Sequence, residues 1–219
     1  MIKAVLFDLD GTLIDSNDLH VKVWHRVFSE AGHEIEPAAI HGQIGKGGDN
    51  LVPALLPALS DSEQKALADE HGRLFKQMFM DQAKPFPGAS ELLRRVHDGG
   101  RKVVLASSAS EAELKHYTEL LGVTDIVAAA TSIDDVGTSK PAPDIFAVAL
   151  QKVGVAAAEA VAVGDTPYDV ISAGKAGAGT IALLSGGFSQ SALREAGADT
   201  IYDDVADLLK GYGGSALSR

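Results

Sequence analysis

Cysteine is absent from this chain. Disulfides, thiol nucleophiles and thiolate metal sites are therefore excluded, any metal must sit on oxygen or imidazole, and a reducing compartment is compatible. Basic residues are the minority: 19 Lys and Arg stand against 30 Asp and Glu, a formal net charge of −11, and no Lys/Arg block stands out. Nucleic acid and anionic membranes are poor partners for such a surface. No apolar run approaches the roughly 20 residues needed to cross a bilayer, and Met1-Ile2-Lys3 passes straight into a short apolar segment. A cytoplasmic location is expected. Internal repeats and low-complexity tracts are also missing.

What is present is core-forming material. Hydrophobic residues make up 46% of 219, enough for one domain, or one domain carrying an insert. Short apolar runs recur at 4–7, 103–106, 126–130, 160–163 and 180–184. They do not alternate with polar residues, as expected of parallel strands covered on both faces. Helical patterns lie between most of them. Ser110-Glu111-Ala112-Glu113 has capping-box spacing before a helix stopped by Gly122, Pro143-Asp144 opens a helix ending at Gly154, and 89–97 and 167–176 fit two more. Strand and helix in repetition predict an α/β fold with a doubly wound, Rossmann-like parallel sheet.

Residues 15–84 break this rhythm. Leu19, Val23, Val27 and Ala31 share a helical stripe ending at Gly32, and Ser60-x-x-Glu63 has the spacing to cap a second long helix. The stretch is expected to be an all-helical insert, or cap, on a core formed by 1–14 and 85–219, with hinges at 14–16 and 84–88. Residues 211–219 are expected to be a loose tail. Trp24 and Phe28 fit the core of the insert rather than a ligand platform. Asp15 fits a cap of the first insert helix, or a local hydrogen bond, better than a metal ligand.

In an open parallel sheet, ligands bind beyond the carboxyl ends of the strands. Four of these ends carry suitable chemistry: Asp8 and Asp10, then Ser107-Ser108, then Lys140 after a loop, then Gly164-Asp165-Thr166-Pro167-Tyr168-Asp169. Four converging carboxylates would repel and desolvate badly unless a hard, oxygen-preferring divalent cation sat among them, and Mg2+ is the natural candidate. Lysine and paired hydroxyls opposite suit a small tetrahedral anion. Each motif taken alone has a plainer explanation in turns, caps or solvated loops.

Asp8-x-Asp10-Gly11-Thr12 after a strand, Ser107 at a strand end, Lys140-Pro141 before a helix, and Gly164-Asp165-x-x-x-Asp169 occur in order across nearly the whole chain. Together they resemble the haloacid dehalogenase superfamily of aspartyl phosphotransferases. The helical insert is similar to the small cap of its phosphoglycolate phosphatase and beta-phosphoglucomutase-like branch. The resemblance implies that Asp8 is the nucleophile, forming an aspartyl-phosphate, and that Asp10 is the general acid and base. It implies that Mg2+ is held by Asp8, the Asp10 carbonyl, Asp165 and Asp169, and that Ser107, Ser108 and Lys140 hold phosphate oxygens.

The expected reaction is hydrolysis of a small soluble phosphate monoester of phosphoglycolate or sugar-phosphate type. Asp10 argues against dehalogenation, since a proton donor is needed for an alkoxide leaving group. A sugar-phosphate mutase requires cationic cap residues for a second phosphate, whereas Gly45-Lys46-Gly47-Gly48-Asp49-Asn50 offers one Lys and no Arg. Lys46 keeps open a phosphonoacetaldehyde hydrolase, and fold alone keeps open a non-catalytic phosphate-binding protein. His20 and Lys46 are the cap candidates for substrate contact. The remaining histidines carry no assigned role, and monomer and homodimer both remain open.

Overall fold

The computed structural model describes residues 1–218. The chain begins with β1 (Ala4–Phe7), a two-residue strand β2 (Ile14–Asp15), and four helices, α1 (Asn17–Glu30), α2 (Pro37–His41), α3 (Gly48–Leu55) and α4 (Asp61–Met78). It returns through β3 (Lys84–Pro85) and α5 (Ala89–Asp98) to β4 (Lys102–Ala106), α6 (Glu111–Leu121), β5 (Val127–Thr131) and α7 (Asp144–Val153). The last third holds β6 (Ala160–Gly164), α8 (Pro167–Ala176), β7 (Gly179–Leu183), α9 (Gln190–Glu195), β8 (Thr200–Tyr202) and α10 (Val205–Lys210).

Six strands form one sheet in the order β5-β4-β1-β6-β7-β8, every neighbouring pair parallel. The chain builds outward from β1 to β4 and β5, then crosses to the opposite side for β6 to β8. The carboxyl end of β1 therefore faces the crevice where strand order reverses, the usual ligand position of such sheets. Both faces are covered: Val5, Phe7, Val103, Leu105 and Val163 belong to one apolar cluster, and Ala4, Leu6, Val104, Ala106 and Ala162 to another. Burial on both faces explains the unbroken apolar runs.

Local signals place most helices. Ser110 and Ser60 both close full capping boxes, and Gly122 and Gly154 end α6 and α7 in left-handed conformation at φ 65° and 63°. Four helices, the edge strand β8 and the two-residue strands β2 and β3 escaped the sequence pattern. α2, α9 and α10 have five or six residues, α3 carries Pro53 inside it, and β8 is a three-residue edge strand. None is long enough to display a period.

α1 to α4 have a small core of their own, with Trp24, Phe28, Ile40, Ile44, Leu51 and Val52 at its centre. The opposite side of α1 and α4 joins the main core: Val23, Val27, Leu74 and Phe75 pack in the same cluster as Leu9, Leu13 and Leu92. The antiparallel ribbon β2–β3 pairs Ile14 with Pro85 and Asp15 with Lys84, so the outgoing and returning chains are tied to each other. Asp15 does not cap α1. It is exposed, and Ser16 occupies that position.

The segment expected to be a loose tail departs from that expectation over 211–218, and Arg219 lies outside the described residues. Residues 211–218 form two short 3-10 turns in which Tyr212, Ser215 and Leu217 are buried, with Tyr212 and Leu217 in the main apolar cluster. Ser215 Oγ donates to the Tyr212 carbonyl at 2.7 Å and accepts from Leu217 N at 3.2 Å. Gly and Ser dominate the segment, which hides its two anchors. Leu217→Ala should therefore destabilise the protein by about 2–5 kcal/mol in urea unfolding, whereas a loose tail would leave the midpoint unchanged.

Candidate active site

The backbone of β1 delivers Asp8 into the crevice, and its N–H donates to the Val163 carbonyl of β6 at 2.9 Å. Asp8 is 3% exposed. Beside it lies Lys140, fully buried, whose Nζ is 2.6 Å from Asp8 Oδ1 and 2.6 Å from Asp169 Oδ1. Asp169 is the third residue of α8 and closes a capping box: its Oδ2 accepts from Thr166 N at 3.0 Å and from Thr166 Oγ1 at 2.6 Å. Asp165 accepts from Thr12 Oγ1 at 2.7 Å and from Asn17 Nδ2 at 3.0 Å.

One carboxylate oxygen from each of Asp8, Asp165 and Asp169 lies within 4.8 Å of the others, all three residues being buried. One lysine does not offset three buried carboxylates. Burial pushes the Asp8 carboxyl up to about 7, with Lys140 opposing and Asp169 and Asp10 reinforcing. Asp165 is raised well above the usual range by burial and by the charges of Asp169 and Asp8. Lys140 moves upward despite burial, because Asp169 and Asp8 hold its proton. Such an all-oxygen, electron-rich pocket fits a hard divalent cation.

Glycine makes the crowding possible. A Cβ on Gly11, at φ 74°, would lie 2.2 Å from Asp165 Oδ2, and one on Gly186 would lie 1.9 Å from the same atom. Gly11 is required by the approach of Asp165 as much as by the turn itself.

A cavity of about 1040 Å³ opens over Asp8 and Asp10, with Ser107, Ser108 and Glu113 on the sheet side and His20, Trp24, Lys46 and His71 on the helical side. Ser107 is buried at the end of β4, where its Oγ accepts from Ala109 N at 3.1 Å. Ser108 Oγ donates to the Gly45 carbonyl at 3.4 Å. Neither serine caps α6, a position taken by Ser110. Asp10 accepts from Ser16 Oγ at 2.5 Å, and its Oδ1 lies 3.2 Å from His20 Nε2. Burial alone would raise Asp10, but the charge and hydrogen bond of His20 and the Ser16 hydroxyl bring it below the usual carboxylate range. Burial would lower His20, and Asp10 outweighs it, so His20 is raised.

The sequence-selected residues thus gather at the ends of β1, β4 and β6. Lys46 stands at the cavity wall, with Nζ 2.5 Å from Gln43 Oε1 and 4.5 Å from the centre of the Tyr168 ring. Several participants had no visible signal. Ser139 is gripped by the 47–50 loop: Gly47 N donates to its Oγ at 2.9 Å, its N donates to Asp49 Oδ2 at 2.9 Å, and Asn50 Nδ2 donates to its carbonyl at 3.1 Å and to the Lys140 carbonyl at 3.3 Å. Thr12 ends the first motif and Asn17 lies five residues beyond it, and both bond Asp165, so polarity next to that motif was a usable clue for these two.

The family model for haloacid dehalogenase-like hydrolases matches residues 5–183. This chain belongs to that family. Among its relatives is a phosphoglycolate phosphatase from Rhodospirillum rubrum, 29% identical over 217 residues that cover 95% of this chain and 90% of that protein. The chain is 33% identical over 218 residues, 94% of its length, to Protein SUPPRESSOR OF QUENCHING 1, chloroplastic, from Arabidopsis thaliana, but spans 20% of that longer protein. A candidate beta-phosphoglucomutase from Bacteroides vulgatus superposes with a TM-score of 0.89 at 26% identity, covering 100% of this chain and 91% of that one. Membership of the haloacid dehalogenase-like family agrees with the Rossmann-like sheet. Among the described residues, no helix is long and apolar enough to cross a membrane.

The buried carboxylates set a signed pH dependence for the metal-free protein. Asp165 has a raised carboxyl in the folded state, so the folded chain retains a proton the unfolded chain loses, and stability falls as pH rises through the carboxylate range. With chelator present, the melting temperature of Asp165→Asn minus that of the unaltered protein should therefore become more positive from pH 5 to pH 7.5. A difference that is flat or falls with pH would contradict this electrostatic account.

Proposed function

We propose that this protein is a Mg2+-dependent phosphatase acting on a small soluble phosphate monoester of phosphoglycolate or sugar-phosphate type, in the cytoplasm and without nucleic-acid or membrane partners. The observation that carries the proposal is Asp8. It stands at the tip of the central strand, bonded to a buried lysine, beside two further buried carboxylates, and it opens into the same cavity as a second acid, Asp10. The phosphatase name of the R. rubrum relative supports the same reading.

In this mechanism Asp8 attacks phosphorus and carries the phosphoryl group as an acyl phosphate. Lys140 holds the Asp8 oxygen that does not attack and balances charge on the transferring group, while Ser107 and Ser108 orient its oxygens from the sheet side. Asp10 donates the proton that the leaving alcohol needs, then takes one from the water that cleaves the acyl phosphate. His20 holds Asp10 throughout. Asp8, Asp165, Asp169 and the Asp10 carbonyl would hold Mg2+, which when bound supplies charge neutralisation between nucleophile and phosphate.

Residues 15–84 act as the cap on a core of 1–14 and 85–219, with ribbon β2–β3 as the joint. The 47–50 loop docks on Ser139, next to Lys140, and this contact supports a closed cap that excludes bulk water during transfer. A mutase is the second reading, favoured by the likeness to the B. vulgatus structure. It needs several cations for a second phosphate, and the 45–50 loop supplies Lys46 alone.

Phosphate release should be measured over a panel of monoesters that includes phosphoglycolate, sugar phosphates and phosphonoacetaldehyde, with glucose 1-phosphate plus the 1,6-bisphosphate as the mutase arm. The expected result is Mg2+-dependent hydrolysis of at least one monoester, abolished by chelator and reduced by more than about 10³-fold in Asp8→Asn. Full turnover in Asp8→Asn would remove Asp8 as nucleophile. Asp10→Asn should lower kcat by about 10²- to 10⁴-fold with KM little changed; an unchanged kcat would take the acid and base role away from Asp10.

A further inference from the structure

His20 and His71 meet in the helical unit above Asp10. His20 is on α1, one turn before Trp24, and His71 is on α4, one turn before Phe75. The rings interleave, His20 stacked on Phe75 with centroids 3.8 Å apart and His71 on Trp24 at 4.0 Å. Their edges continue the line to the acid: His71 Nε2 is 3.3 Å from His20 Nδ1, and His20 Nε2 is 3.2 Å from Asp10 Oδ1. Two stacks and two hydrogen bonds leave neither imidazole free to turn.

We propose that His71 is a positioning residue: its Nε2 accepts from His20 Nδ1–H and thereby keeps His20 Nε2–H directed at Asp10 Oδ1, which leaves Oδ2 to exchange the catalytic proton. The inference rests on Asp10 being the acid and base of the proposed phosphatase. Burial, followed by the charge of His20, holds His71 well below the ordinary histidine range, so its ring is neutral with one bare nitrogen, and Nε2 is the one that faces His20 Nδ1 at 3.3 Å. A proton is then committed to His20 Nδ1 in every state of the site.

The chemical gain lies at the other oxygen of Asp10. Ser16 Oγ and His20 Nε2 both face Oδ1, so the proton that passes to the leaving alcohol, and the one later taken from water, sits on Oδ2. His20 Nε2–H donates to Oδ1 before and after each transfer, and the heavy atoms stay in place. Asp10 is held identically as acid and as base. Without an acceptor at His71, the His20 ring loses the bond that keeps Nε2–H directed at Oδ1.

The test uses two substitutions and one spectrum. His71→Phe keeps a ring on Trp24 and removes the acceptor; His71→Gln removes the ring and keeps an amide acceptor. On the monoester turned over by the unaltered protein, His71→Phe should lower kcat on the order of 10- to 100-fold, as loss of an outer hydrogen-bond partner typically does, with KM within about 2-fold. His71→Gln should recover most of that loss. Equal kcat in His71→Phe and the unaltered protein, or equal losses in both variants, would overturn the proposal. Two-bond ¹H–¹⁵N spectra of the unaltered protein, with the His20 signals identified by their absence in His20→Gln, should show a proton on Nδ1. A bare Nδ1 on His20 overturns the proposal. The spectrum needs no turnover and no variant at position 71, so it decides whether His20 presents Nδ1–H to His71 even if no monoester is hydrolysed, an outcome that would count against the phosphatase reading instead.

Discussion

Lys140 is the residue on which the rest of the site depends. A fully buried ammonium is tolerated only beside carboxylates, and it has two at 2.6 Å. Those two in turn are tolerated only because Lys140 is there, and with Asp165 the three carboxylates still exceed it in charge. The pocket therefore stores electrostatic stress that a divalent cation would relieve. Much of the surrounding structure keeps that stress in place: Thr12 and Asn17 bond Asp165, Thr166 bonds Asp169, and Gly11 and Gly186 yield the space in which Asp165 fits.

The helical unit serves the same centre from above. Its long helices α1 and α4 are fastened below by Val23, Val27, Leu74 and Phe75, which share the main core, and its 47–50 loop grips Ser139 and the Lys140 carbonyl. Between these attachments the helices hold His20 over Asp10. The side of the cavity away from the sheet is thus made by residues whose positions answer to the core, which is how a separate run of helices can influence a proton at Asp10.

The core fold and the core of the candidate site were legible because their signals are local. Unbroken apolar runs marked five of the six sheet strands; capping boxes at Ser60 and Ser110 and glycine stops at Gly122 and Gly154 marked helix ends; and chemistry placed just after each run marked the strand tips. Elements shorter than two turns, such as α2, α9 and α10, have no period to read, and β8 is short and partly polar. Leu217 and Tyr212 were misjudged for a related reason: a Gly- and Ser-rich segment reads as tail until its two large side chains are seen in the core. Ser139, Asn50 and His71 act through contacts across 51 to 92 positions of sequence. Nothing near them in the chain announces a partner.

The sequence by itself determined the parallel α/β core, the helical insertion after the first strand, and which carboxylates, hydroxyls and lysine would stand at the strand ends, because hydrophobic period, caps and strand-end position are properties of neighbours in the chain. Tertiary structure alone decided that Lys140 bridges Asp8 and Asp169, that His20 turns to Asp10 with His71 behind it, and that Lys46 rests against Gln43 and Tyr168. Those pairings depend on how helices and loops cross over the sheet, and the local pattern of residues does not encode the crossing.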